Sequence, residues 1–214
     1  MNIAVLVKQV PGTTNVEIDP VTGTLRRDGV AAKMNPYDLF ALEEALRLHE
    51  KEGGKLIAVT MGPNQAASVI REAVYMGCDH GYVVSDRKFA GADVLATSRT
   101  LSGALKKVAQ LEEIPSFDLI LCGKQTTDGD TAQVGPEAAE RLSVPHVANI
   151  LKIEAVDGDS VTVLANMGDY VQGNHSLLAC GTTRELRLEF PRETGLILKC
   201  PVKVGNPLQT KQGK

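Results

Sequence analysis

Four short apolar runs mark the first two thirds of the chain. They lie at residues 3–7, 56–60, 82–84 and 117–122, and turn residues or helical patterns separate them. Runs of this length, apolar at nearly every position, are typical of strands buried on both faces of a parallel sheet. The pattern therefore predicts four strands of one central sheet.

Between these runs the apolar residues take up the spacing of helices. After the fourth run, Val134, Ala138 and Leu142 recur at every fourth position, on one face of a predicted helix. An earlier helix is predicted to begin at Asn35, its N-cap, with Pro36 in the first helical position. Two further helices are predicted, at residues 66–74 and 90–110. Strands that alternate with helices predict an α/β fold with a doubly wound, mostly parallel sheet.

Other stretches predict structure outside this sheet. Residues 16–26 alternate on either side of a turn, which predicts a small peripheral hairpin. Residues 147–153 and 160–164 predict two strands joined at Asp157 and Gly158. After residue 168 periodicity is lost, apart from one possible strand at 186–190. We therefore expect an α/β domain over residues 1–167 and a C-terminal arm or tail over 168–214.

Composition narrows the class of protein. A chain of 214 residues can bury one core, and a net charge of -3 with interspersed signs predicts neither nucleic-acid binding nor membrane insertion. The first eight residues are apolar over too short a stretch for a signal peptide. The four cysteines lack ligand spacing, so we expect reduced thiols in a cytoplasmic protein, with Cys78 and Cys122 in the core.

The stretch at residues 123–136 joins the fourth strand to its helix. Ligands bind at this end of parallel strands, where glycines such as Gly123 and Gly129 let the backbone approach a ligand and free helix N–H groups favour an anion. An ordinary strand-to-helix turn is the alternative. Asp128 and Asp130 would repel a bare phosphate, so they fit only as a helix cap, as ribose contacts or facing solvent.

Two other strand ends, at residues 8–9 and 61–63, are expected at the same edge, and the helix start at 35–38 could reach it. The cleft lacks the residues of a catalytic site: the four histidines are scattered, and no nucleophile or metal motif falls there. The first strand also lacks the serine- and glycine-rich loop of ATP pyrophosphatases. This favours a carrier or binding subunit over an enzyme.

Five motifs in register carry a resemblance to a known family. They are Val-Lys-Gln-Val-Pro at 7–11, Met-Asn-Pro-Tyr-Asp at 34–38, Thr-Met-Gly-Pro at 60–63, Phe-Ala-Gly-Ala-Asp at 89–93 and the stretch at 123–136. Together they resemble the beta subunit of electron transfer flavoprotein over about residues 1–167. The resemblance implies a fold related to adenine-nucleotide-binding hydrolases and an electron carrier rather than an enzyme.

The resemblance also implies partners and cofactors. The beta subunit pairs with an alpha subunit that holds the electron-shuttling FAD, and the pair serves acyl-CoA-type or other flavin dehydrogenases. The beta subunit itself holds AMP in conventional members and a second FAD in electron-bifurcating members. The cofactor-binding residues carried over are Leu6, Asn35, Pro36, Tyr37, Asp38, Met61, Gly123, Lys124, Gln125, Thr126, Thr127, Asp128, Gly129, Asp130, Thr131, Ala132, Gln133 and Val134.

The motifs at 8–11 and 128–136 look more like the anaerobic, bifurcating type, which leads us to expect FAD in this pocket. Residues 172–214 depart from the family, as a shifted reading frame, a truncated gene or a divergent tail would make them do. Two other functions are the alternatives. One is a stand-alone adenine-nucleotide-binding module without flavin, and the other is an enzyme acting on an adenylated intermediate.

Overall fold

The computed structural model describes residues 1–12, 32–157 and 160–166, and the backbone of 183–189 and 197–200. The strands are β1 (Asn2–Leu6), β2 (Gln9–Pro11), β3 (Ala32–Met34), β4 (Lys55–Met61), β5 (His80–Val84), β6 (Leu119–Gly123), β7 (His146–Val147), β8 (Ile150–Asp157), β9 (Ser160–Asn166), β10 (Thr183–Glu189) and β11 (Ile197–Cys200). The α-helices are α1 (Pro36–Glu52), α2 (Ala67–Met76), α3 (Val94–Leu111) and α4 (Val134–Leu142).

A six-stranded sheet with the order β5-β4-β1-β6-β11-β7 forms the centre of the fold, and every neighbouring pair in it is parallel. Residues along β1 alternate between two cores: Ile3 and Val5 pack with α1 and α2, whereas Ala4 and Leu6 pack with α3 and α4. Helices therefore cover both faces of the sheet. The prediction of an α/β fold with a doubly wound, mostly parallel sheet is confirmed.

The ends of α1 follow from local sequence. Pro36 occupies the first turn because its missing N–H would be unpaired there in any case, and Gly53 ends the helix with a positive φ of 65°. Asn35 is the N-cap by position, as predicted, but its side chain makes no capping hydrogen bond. This leaves the Asn35 amide free to bond elsewhere.

The prediction of a helix from residue 90 is wrong at its start, because α3 begins at Val94. The side chain of Asp93 accepts a hydrogen bond from Ala96 N at 2.8 Å, which caps the helix there. Gly91 just before it has a φ of 76°, which is outside the helical region. Over the rest of α3, Leu101, Leu105 and Val108 are buried as the pattern predicts.

Two small antiparallel sheets accompany the central sheet. In the first, β8 pairs with β9 through Asp157 and Ser160, which confirms the predicted hairpin, and β10 adds to the other edge of β9. The predicted strand at 147–153 is in fact two, since Val147 lies in β7 of the central sheet. The second sheet, β2 with β3, was not predicted. The hairpin predicted at 16–26 lies outside the described residues.

Two strands fall in the segment where the sequence shows no clear periodicity. The strand predicted at 186–190 corresponds to β10, of which the described part ends at Glu189. The other, β11, lies between β6 and β7 in the central sheet, and no pattern predicted it. The division into a domain at 1–167 and an arm or tail at 168–214 stays a prediction.

Two predictions from composition can be compared with the described residues. Cys78 and Cys122 are buried, as expected of small core residues. Within the described part of the chain, no helix is long and apolar enough to cross a bilayer.

Candidate functional site

The order of the strands creates a crevice between β1 and β6. From β1 the chain proceeds outward to β4 and β5 on one side, then returns through α3 to β6 on the other side of β1. At such a topological switch point the connections leave the sheet in opposite directions, so the carboxyl ends of the two strands border an opening. The loop after β6 and the residues after β1 both lie at this opening.

The first turn of α1 is tied to the end of β1. Asn35 N donates to Lys8 O at 2.8 Å, and Lys8 N donates to Asp38 Oδ2 at 2.8 Å. The Asp38 carboxylate also accepts hydrogen bonds from the backbone of Gly123 and the side chain of Asn35. Burial raises the pKa of Asp38 to about 7, against the opposing effect of these hydrogen bonds and of the Lys8 charge.

Gly123, the last residue of β6, lies directly against this turn. A Cβ on Gly123 would overlap Asp38 Oδ1 and would also lie 2.8 Å from the Tyr37 carbonyl carbon and 2.9 Å from Asp38 N. These contacts are too short for any side chain. Close packing between β6 and α1 therefore requires a glycine at position 123. A side chain there would meet α1 and not open space.

An ion pair ties the loop after β6 to β1. Lys8 Nζ lies 2.7 Å from Asp128 Oδ1, and the Asp128 side chain is only 9% exposed. Burial raises the pKa of Asp128, but the hydrogen bond and charge of Lys8, together with Thr126, outweigh it, so the pKa lies below its usual value. The negative charge of Asp128 is thus balanced within the protein.

The backbone of this loop has an unusual shape. Asp130 and Ala132 have positive φ values of 42° and 57°, and Asp130 N donates to Thr126 O at 3.2 Å. A left-handed conformation costs little at aspartate but more at alanine. Sequence reasoning assigned such freedom to the glycines and did not predict it for these two residues.

Side-chain amides connect the loop to α1. Asn35 Nδ2 donates to Gln125 O at 2.8 Å, and Gln125 Nε2 donates to Tyr37 OH at 3.1 Å. Asn35 is fully buried, yet its Oδ1 has no hydrogen-bond partner among the described residues, and the same is true of Thr60 Oγ1 near the end of β4. Unpartnered buried polar atoms are uncommon in folded proteins; that of Asn35 lies in the turn that bonds the loop, whereas a third among the described residues, His49 Nδ1, lies near the other end of α1.

Several polar groups of the loop remain directed outward. Thr127, Asp130, Thr131 and Gln133 are exposed. The helix α4 begins after Gln133 without any side-chain cap, so its first N–H groups are not bonded by a side chain of the loop. Of the two aspartates that seemed to oppose an anion, Asp128 is paired with Lys8 and Asp130 faces solvent.

The remaining predicted residues also lie at this edge. Leu6 ends β1, Met61 ends β4, and Pro36 begins α1. The structure thus brings together all the residues carried over by the resemblance, while their contact with a ligand stays a prediction. Lys8 was not among them. Its position after β1 was recognised, but its partner lies 120 residues away and no local pattern connects them.

The other buried ionic cluster lies at the opposite, amino edge of the sheet. Glu112, at the end of α3, has a side chain that is 3% exposed; it pairs with Lys55 at 3.1 Å and His80 at 2.7 Å and accepts a hydrogen bond from Tyr82 OH at 2.6 Å. These contacts hold α3 to β4 and β5. Among the described residues no group of three or more His, Cys, Asp or Glu side chains could hold a metal ion.

Comparison with known proteins shows which family the chain is similar to. Residues 22–170 match the electron transfer flavoprotein domain. The chain is 51% identical over 163 residues to the electron transfer flavoprotein subunit beta of Thermoanaerobacterium thermosaccharolyticum, covering 76% of this chain and 60% of that protein. It is 50% identical over 157 residues to Protein FixA of Azotobacter vinelandii, covering 73% of this chain and 55% of that protein.

A third relative aligns over a longer stretch. The chain is 44% identical over 193 residues to the caffeyl-CoA reductase-Etf complex subunit CarD of Acetobacterium woodii, covering 90% of this chain and 71% of that protein. The chain thus spans between 55% and 71% of the length of these three relatives. Because the domain match covers more than half of the chain, the chain belongs to the electron transfer flavoprotein family, as a relative of its beta subunits.

Proposed function

We propose that this chain is the beta subunit of a heterodimeric electron transfer flavoprotein and that it holds an adenine nucleotide, FAD or AMP, at the crevice between β1 and β6. The observation that carries the proposal is the loop after β6, which reaches across to β1 at the switch point of the sheet and keeps exposed hydroxyl and amide groups there. Membership of the family supports it.

The residues present fit such a ligand. The exposed hydroxyls of Thr127 and Thr131 and the uncapped start of α4 are suitable donors for phosphate oxygens. Lys8 neutralises Asp128, which removes one of the two charges that would repel a diphosphate. The amide of the exposed Gln133 and the same threonine hydroxyls can also accept hydrogen bonds. This donor and acceptor set suits a nucleotide better than an apolar ligand.

We favour FAD over AMP in this pocket, because the residues at 8–11 and 128–136 are similar to those of the bifurcating type. FAD, when bound, supplies the transfer of electrons, while the protein positions it and sets its potential. Asn35, Gln125 and the loop around Asp128 would hold it. The chain would then act in a complex with an alpha subunit and a flavin dehydrogenase, in the cytoplasm, as a carrier without a catalytic residue of its own.

The test is to co-express the chain with its alpha partner and count the FAD and AMP released per purified heterodimer. Two FAD and no AMP support the proposal in full. One FAD with one AMP supports an adenine nucleotide in this pocket but contradicts the preference for FAD. A heterodimer that holds one FAD and nothing else contradicts the pocket. A homodimer that binds ATP without flavin would instead support a stand-alone nucleotide-binding module.

A further inference from the structure

We propose that Asp38 acts as a positioning residue, whose side chain bonds the carboxyl ends of β1 and β6 to the first turn of α1 and so fixes the arrangement that receives the nucleotide. The inference rests on the proposed function, and it assigns to Asp38 a role different from direct contact with the ligand. Three observations support it: the position of the Asp38 carboxylate, the end of the pairing between β1 and β6, and the close packing around Gly123.

The carboxylate joins three elements. It belongs to the first turn of α1, accepts Lys8 N at 2.8 Å just beyond β1, and accepts the backbone of Gly123 at the end of β6. Asp38 is 5% exposed, so the carboxylate is directed into the protein. A side chain bonded in this way acts on a ligand through the two strand ends.

The strand ends need such a partner because their ladder stops here. The pairing of β1 with β6 runs from Ile3 with Leu119 to Leu6 with Cys122, so Lys8 and Gly123 lie just beyond it. Val7 N still bonds Val59 O on the β4 side, whereas Lys8 N turns to Asp38. Without the carboxylate, the part-buried N–H groups of Lys8 and Gly123 would each lose a hydrogen-bond partner.

Close packing allows no other arrangement of these groups. Gly123 approaches so closely that a Cβ would overlap Asp38 Oδ1, and Asn35 N fixes the turn of α1 to Lys8 O at 2.8 Å. An asparagine at position 38 would keep the shape but offer only one carbonyl oxygen, so its amide nitrogen would face an N–H donor. Asp38→Asn should therefore release one strand end without leaving a cavity.

The experiment compares the full chain, co-purified with its alpha partner, with Asp38→Asn and Asp118→Asn. Asp118 is a matched control because its Oδ2 accepts Asn2 N at 2.6 Å, a carboxylate-to-backbone bond to the same strand at the opposite edge. Affinities for FAD and AMP and the unfolding midpoint are measured at pH 8. We expect Asp38→Asn to weaken nucleotide binding at least tenfold, beyond what any change in its unfolding midpoint explains, and Asp118→Asn to leave binding unchanged.

Other results would overturn the proposal. Binding by Asp38→Asn as tight as in the wild type would do so, as would losses of affinity in both variants that follow their losses of stability. If the wild type binds neither nucleotide, the proposed function fails. The positioning role of Asp38 is then tested by amide exchange alone. Asp38→Asn should then speed the exchange of the Lys8 and Gly123 backbone amides at least tenfold. Unchanged exchange would refute the positioning role of Asp38.

Discussion

Two buried carboxylates show how neighbouring groups set the protonation of a residue. Asp38 receives backbone hydrogen bonds and one nearby positive charge, and burial still raises its pKa to about 7. Burial also raises the pKa of Glu112, but hydrogen bonds from Tyr82, Lys55 and His80 outweigh it, and the pKa is lowered. The two residues therefore affect stability in opposite directions as the pH changes.

Asp38 should make the protein less stable as the pH rises. The folded state keeps the Asp38 proton up to a pH of about 7, whereas the unfolded chain loses it near 3.8, so stability from this group is full below 3.8 and declines up to 7. The gap corresponds to at most about 4 kcal/mol. Asp38→Asn should remove this slope in denaturant unfolding between pH 4 and 8. A parallel pH profile for the two proteins would contradict the prediction.

Glu112 should act in the reverse sense. Because its pKa is lowered in the folded state, its contribution is present near neutral pH and is lost as the pH falls through that lowered value. Glu112→Gln should lower the free energy of unfolding at pH 7, since Lys55 and His80 lose a charged partner. The difference from the wild type should shrink in acid. A difference that grows on acidification would count against this account.

The ion pair between Lys8 and Asp128 can be tested in the same way. Lys8→Met leaves Asp128 nearly buried without its partner, which should cost about 1–2 kcal/mol at pH 7, between the values for exposed and buried pairs. Lys106→Met, at an exposed position of α3, is the control and should change stability little. Urea unfolding measures both. Equal effects of the two substitutions would show that the pair contributes nothing.

At the scale of elements, two glycine substitutions distinguish the effect of close packing on stability from the effect of helix propensity. In Gly123→Ala the new Cβ meets Asp38 and the Tyr37 backbone, so β6 and α1 must move apart, at a cost of about 1–3 kcal/mol or more. In Gly103→Ala, within α3, nothing lies within 4 Å of the new Cβ. The higher helix propensity of alanine should therefore raise the free energy of unfolding by about 0.5–1 kcal/mol.

Thermal unfolding of the two glycine variants tests this contrast, and nucleotide content tests its consequence. Gly123→Ala should also lose nucleotide, because the loop at 124–133 follows directly from this position. Gly103→Ala should retain it. If Gly123→Ala keeps both stability and nucleotide, the close approach of β6 to α1 does not matter for the site.

At the scale of the whole molecule, local patterns predicted what local interactions determine. The continuous apolar run of β1 and the Asn35-Pro36 start of α1 depend on adjacent residues, and the structure confirms both predictions. The four residues of β11 pair with strands distant in sequence, and nothing in their own pattern indicates the insertion. The sequence predicts that the candidate residues lie at one edge of the sheet, and the structure has them there. The Lys8–Asp128 pair could not be predicted, because it depends on how the loop folds.

Hydrogen exchange of the heterodimer, with and without bound nucleotide, is the most direct test that the ligand occupies the switch point of the sheet. Nucleotide should slow exchange in the segments at that edge, residues 6–12, 35–38 and 123–135, and leave the amino edge around Lys55 and Glu112 unchanged. Protection confined to the amino edge, or spread evenly over the chain, would contradict a nucleotide held between β1 and β6.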